Sequence, residues 1–164
     1  MSYARFGAMI AISTVVMFGL MYLNSYALDH QYFSQTRMWM ALLMGATMAI
    51  VMIGFMWRMY RGRRVKIAIV TASLLIGASS LWLVRSQQAV GDVAYMKAMI
   101  PHHSIAILTS SRAQIRDARV RELADEIIAA QVREIGEMKA LIADIEAHPV
   151  PDNARERPPV ALEP

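Results

Sequence analysis

Two strings in the last third of the chain carry residue types that ligate metals: M-I-P-H-H at Met99 to His103, and Q-V-R-E-I-G-E-M at Gln131 to Met138. Thioether and imidazole together suit copper(I), while imidazole with carboxylate suits copper(II) or zinc. The chain has no cysteine, which excludes thiolate sites, disulfides and cysteine nucleophiles. A copper or zinc site here must use His, Met and carboxylate. A ferritin-type di-iron centre needs several carboxylates and Glu-x-x-His on its helices, and no Glu-x-x-His occurs. Two His and one Glu around zinc with an open position can make a hydrolase. No oxyanion donor or supporting acid accompanies them here, so a metal-dependent enzyme ranks last.

Helical stepping puts these residues on facing stripes. With Met99 at zero, Asp92, Tyr95, Met96, Ala106 and Ser110 fall within about 60° of it, and His102 and His103 fall near about −60° and 40°. Adjacent histidines point about 100° apart on a regular helix. Pro101 removes a backbone hydrogen bond and can kink the helix just before the pair. Either the two rings converge above Met99, or one serves this site and the other a neighbour. With Glu134 at zero, Leu123, Ile127, Met138, Leu141 and Ile145 lie within about 40° and Gln131 at about 60°. Glu134 is thus expected in the middle of a buried stripe, where a carboxylate is costly unless it meets a cation or donors. Antiparallel counting places Glu134 opposite Ala98, Gln131 opposite Pro101 and Met138 opposite Ala94. The alternative to a metal or proton site is a buried His–Glu contact that only fixes register, and Lys97 can neutralise Glu134 without metal.

Those helices have to be positioned by something, and the first half of the chain is a membrane pattern. Arg5 to Ala27, Met38 to Tyr60 and Lys66 to Val84 are apolar runs near the ~20 residues that cross a hydrocarbon core. The first does not read as a cleaved signal peptide: one Arg precedes it, no small-x-small site follows it, and two more spans come after. Arg58, Arg61, Arg63, Arg64 and Lys66 flank the second loop and Arg5 precedes the first span, against Arg37 and Arg85 on the other side. The positive-inside rule puts the N-terminus and the R-G-R-R-V-K loop in the cytoplasm, so three spans deliver the C-terminal part outside. For a bacterium that is the inner (plasma) membrane, with a periplasmic or extracytoplasmic domain. The first outer loop, about residues 28–36, contains Asp29 and His30, and Met40 lies near enough to join them.

Beyond the spans, Gly91 breaks the helix and Asp92 is expected as N-cap of a helix to Ala113. Asp117 caps a second helix that runs to about His148, where Pro149 and Pro151 stop it. The short connector makes an antiparallel hairpin. The Pro-rich tail cannot bury a core and is expected to be disordered. The expected organisation is therefore all-α: 1–85 with three transmembrane helices, 86–148 as an extracytoplasmic helical hairpin, and 149–164 as the tail. A hairpin with one apolar stripe per helix is too small to hide that surface alone. It should pair with a second copy into a four-helix bundle or lean on extended ends of the spans.

The sequence pI near 9.7 does not point to nucleic acid. Residues 1–85 hold eight basic residues and one acidic, whereas 86–148 hold seven basic and nine acidic. The basicity is a membrane-orientation signal, not a phosphate-binding face. Eleven of the 14 methionines lie within residues 1–59. Met40, Met44, Met48, Met52 and Met56 recur every fourth residue, a row that drifts around the helix. They read either as a thioether ladder for copper(I) or as adaptable packing between helices. No ionisable group within the span marks a pathway.

The string M-I-P-H-H-S-I-A-I (Met99 to Ile107) with I-I-A-A-Q-V-R-E-I-G-E-M (Ile127 to Met138) resembles the ferritin-like domain-of-unknown-function family numbered 305. Y-L-N-S-Y-A-L-D-H and S-Q-T-R-M-W-M-A-L-L-M-G-A-T-M-A in the first half are similar to the membrane-anchored branch of that family. The resemblance covers nearly the whole chain except the tail. It implies a helical fold, an extracytoplasmic domain and, in some members, copper or silver binding linked to metal tolerance, with no assigned enzyme activity. Carried over by position, the ligand candidates are His102, His103, Met99, Gln131, Glu134 and Met138. Thr109 departs from the family, where Met is frequent, which would weaken copper(I) binding or change its geometry. Met96, Asp92, Asp29 and His30 complete the candidate set from the residues themselves. The expected role is copper storage, buffering or hand-over to a membrane or periplasmic copper-handling partner, with zinc as the other metal. The rival is a structural or accessory subunit of a membrane complex.

Overall fold

The computed structural model describes residues 2–151, 153–155, 157 and 160. Among them the chain is all-α, with helices α1 (Tyr3–Leu20), α2 (Gln35–Phe55), α3 (Arg63–Ser86), α4 (Asp92–Arg112) and α5 (Ala118–Ala147) and a 3-10 turn at Leu28–His30. Asp152, Glu156, Pro158, Pro159 and residues 161–164 of the Pro-rich tail lie outside the described residues. Helices α1, α2 and α3 are each long and apolar enough to cross a membrane.

The first span is shorter than its hydropathy suggests. α1 is capped by Ser2, whose hydroxyl accepts from Ala4 N, and it ends at Leu20 rather than continuing to Ala27. Beyond Leu20, Tyr22 and Tyr26 are drawn into tertiary bonds. The Tyr22 hydroxyl accepts from Ser34 N at 2.9 Å, and Tyr26 N donates to Ser104 Oγ at 2.8 Å. Ser34 caps α2 by accepting from Arg37 N. α1 and α3 both pack on α2. The buried face of α2 is Ala41, Gly45, Ala46, Ala49 and Ile53, small residues that let helix backbones approach closely. A Cβ at Gly45 would collide with the Thr14 hydroxyl of α1. The methionine row runs along the flanks of this face: Met40 is exposed, and Met52 and Met56 pack against the cluster of Phe6, Ile53 and Tyr60. That cluster closes the end bearing the basic turn. Lys66 is buried there, its ammonium donating to Trp57 O at 2.8 Å and lying 4.3 Å from the Trp57 ring centroid.

α4 and α5 form the antiparallel hairpin, around Met96, Ile100, Ile107, Ile135 and Ile142. Asp117 caps α5 as expected, but α4 is capped by Gly91, with Asp92 its first helical residue. Pro101 sits inside α4 without ending it. The hairpin does not stand alone. Tyr32 from the loop between α1 and α2 packs against its core. Ser104, fully buried, accepts from Tyr26 N and meets His30 Nδ1 at 3.0 Å. Lys139 donates to Asp29 at 2.6 Å, and Arg37 donates to Pro101 O at 3.3 Å. Within one chain, the loop between α1 and α2 is the third side of the hairpin core.

Candidate metal centre

The buried stripes are rotated from the phase that simple stepping gives. On α4 the buried residues are Met96, Ile100, Pro101, Ser104 and Ile107, centred about 100° around the helix from Met99. On α5 they are Ala124, Ile135 and Ile142, about 90° from Glu134. Leu123 and Leu141, expected in the core, are exposed. Glu134 therefore lies at the edge of the core, its side chain 37% exposed.

This edge is where the two strings meet. His103 Nδ1 lies 3.1 Å from Glu134 Oε2, and Gln131 Nε2 approaches the same oxygen at 3.4 Å. His103 meets Glu134, where backbone counting placed Ala98. Side chains on each helix tilt toward its own N-terminus. In an antiparallel pair, touching residues thus come later in both helices than residues level in backbone. Met138 packs against the core one turn beyond Glu134, and Met96 is buried in that same core.

The His103–Glu134 contact is short, but it is not a hydrogen bond in its geometry. Nδ1 is a buried polar atom with no hydrogen-bond partner. His103 is held below its ordinary pKa, chiefly by burial; Glu134 opposes the shift and His102 adds to it. The neutral imidazole is thus favoured, and a neutral Nδ1 lone pair facing a carboxylate oxygen needs a proton or a cation between them. Two ligands each about 2.0–2.2 Å from one first-row ion stand about 3 Å apart. The orphaned nitrogen, the carboxylate beside it and the nearby thioethers fit such an ion. Among the described residues no three His, Cys, Asp or Glu side chains converge. Among the described residues, the Gln131 amide lies beside the same carboxylate and the Met138 thioether follows one turn further along α5.

The other candidates are distributed elsewhere. His102 is exposed and its ring centroid is 6.5 Å from that of His103, so Pro101 does not make the pair converge. His102 and Met99 line a separate pocket with Arg37 and Tyr95. Asp92 is exposed at the start of α4. Asp29 pairs with Lys139, whose hydrogen bond lowers its pKa, and His30 with Ser104. Burial is the main cause of the lowered His30 pKa; Asp29 opposes it. Lys97 does not neutralise Glu134; it pairs with Glu146 at 2.7 Å. Sequence reasoning missed Ser104, Tyr32, Arg37 and Lys139. Only Ser104, a hydroxyl in the apolar run after the two histidines, carried any signal.

Three helices long and apolar enough to cross a membrane, followed by a paired-helix domain with a His–Glu contact at its edge, make this an all-α protein consistent with membrane anchoring. The family described as "Domain of unknown function (DUF305)" matches residues 92–161. An uncharacterized protein of Acanthamoeba polyphaga mimivirus is 34% identical over 106 residues, covering 63% of this chain and 68% of the relative. The chain belongs to the DUF305 family. No solved structure matches it.

Proposed function

We propose that the chain is a membrane-anchored, extracytoplasmic copper-binding protein that stores, buffers or hands over copper, with silver as a second soft cargo. The observation that carries this is the buried, partnerless His103 Nδ1 lying 3.1 Å from Glu134 Oε2. Met138 and Gln131 stand on the same stretch of α5, and Met96 lies in the adjoining core. Thioether with imidazole favours copper(I); the carboxylate leaves copper(II) and zinc as competitors. The excess of Lys and Arg at the turn before α3 supports a cytoplasmic N-terminus and an outward hairpin, in the inner membrane and periplasm for a bacterial cell.

A second copy supports the same reading. Val120, Leu123 and Leu141 are exposed on α5, about 40° or less from Glu134. Pairing this stripe across two chains would build a four-helix bundle with both His–Glu contacts inside it. The same exposed stripe favours the rival reading, an accessory subunit whose partner covers it and whose His–Glu contact only sets register.

The test is anaerobic copper(I) titration of the full-length protein in mild detergent beside His103→Ala, with helicity and oligomer size followed in parallel. Stoichiometric binding that the variant loses, with helicity intact, supports copper handling. Loss of folding without prior metal binding, or a fixed co-purifying partner and no copper affinity, supports the accessory role.

A further inference from the structure

A second cavity lies where the hairpin meets the spans. It encloses about 260 Å³ and is lined by Ser34, Thr36 and Arg37 of the α2 start, Gln87 after α3, and Tyr95, Ala98, Met99 and His102 of α4. The start of α2 and the end of α3 both line it, so it stands at headgroup level if these helices span. Exposed Tyr26, Phe33, Trp82 and Tyr95 ring this end of the molecule, as aromatic side chains do at a membrane–water interface.

Arg37 is the charge in this cavity. Its guanidinium donates to Met21 O at 2.7 Å and Pro101 O at 3.3 Å and lies 4.6 Å from the centroid of the Tyr22 ring. All three partners are neutral. Among the described residues no carboxylate pairs with Arg37. A half-buried guanidinium without a counter-charge is costly. It also stands at the outer end of its helix, where the positive-inside bias does not call for a cation. Guanidinium recognises phosphate through parallel charge-assisted hydrogen bonds, and Tyr95 and His102 bring further polar groups to the cavity wall. Copper(I) is a poor occupant, because it would sit beside a fixed cation.

We propose that this cavity binds the phosphodiester headgroup of a membrane phospholipid, with Arg37 as counter-charge. The bound headgroup would bridge the ends of α2 and α3 to α4 and seat the hairpin on the bilayer. The inference is independent of the copper reading.

The experiment is native mass spectrometry and lipid competition on the full-length protein in mild detergent. The probes are short-chain phosphatidylglycerol, a monoacylglycerol without phosphate, and inorganic phosphate. Arg37→Gln removes the charge. Ala98→Phe fills the cavity while leaving the Arg37 bonds in place, and so separates occupancy from misfolding. The expected result is retained phospholipid, displaced by phosphatidylglycerol and not by monoacylglycerol, with affinity about tenfold or more weaker in both variants. Equal retention in Ala98→Phe, or equal displacement by monoacylglycerol, overturns the site. Saturation by inorganic phosphate with no phospholipid retained overturns the lipid assignment in favour of a soluble oxyanion.

Discussion

Replacing Glu134 by Gln keeps the shape of the contact with His103 and removes its charge. The oxygen stands 3.1 Å from Nδ1, so the Coulomb energy of the charged pair is about 1.3 kcal/mol in a water-like medium and about 5 kcal/mol at an effective dielectric near 20. Because the carboxylate is 37% exposed, the lower part of that range applies, about 1–2 kcal/mol. Burial already lowers the His103 pKa and Glu134 opposes that effect, so its neutralisation should lower the value further. The assay is a pH titration of the His103 ring resonances in the full-length protein, with His102→Gln as background to separate the adjacent signals. Copper(I) affinity measured on the same samples should fall about tenfold or more, since one anionic ligand is lost. A His103 pKa that stays put or rises would refute the contact itself. A lowered pKa with unchanged copper affinity would leave the contact standing and remove Glu134 from the ligand set.

Ser104→Ala should cost about 1–3 kcal/mol, because it strips a fully buried hydroxyl from Tyr26 N and His30 and leaves polar groups unpaired; amide exchange at Tyr26 should speed up while α1 is unaffected. Gly45→Leu should separate α1 from α2, since even a Cβ meets the Thr14 hydroxyl; crosslinking between cysteines introduced on those two helices should drop, and an unchanged yield would contradict the packing. Acidification should destabilise the hairpin and its loop. His30 and His103 are held below the ordinary value of 6.5, so on acidification the unfolded chain takes up protons before the folded one. The stabilisation is full above 6.5 and is lost as pH falls through the folded values, so thermal unfolding at pH 5 should come at a lower temperature than at pH 7.5.

Helix positions were legible because their signals are local: apolar run lengths for α2 and α3, Asp117 and Pro149 for α5. The angular phase of the hairpin was not. α5 carries two apolar faces about a quarter-turn apart, one with Ile135 and Ile142 and one with Leu123 and Leu141. Sequence periodicity cannot rank them, because the buried face is the one that Tyr32 and the loop residues meeting Ser104 cover. That closure joins residues 78 positions apart, Tyr26 and Ser104. His103 and Glu134 were found as a pair from their motifs. The separation of His102 and Met99 from them follows from the selected phase, and Arg37 read only as a weak topology marker.

The long reach between the α1–α2 loop and the hairpin also sets an order of synthesis. Residues 22–34 leave the ribosome before α2, while their partners on α4 and α5 are made last. Tyr26, Asp29 and His30 therefore have no partner on the hairpin until α4 and α5 have been made. The hairpin core is closed last, by a loop synthesised before α2 and α3.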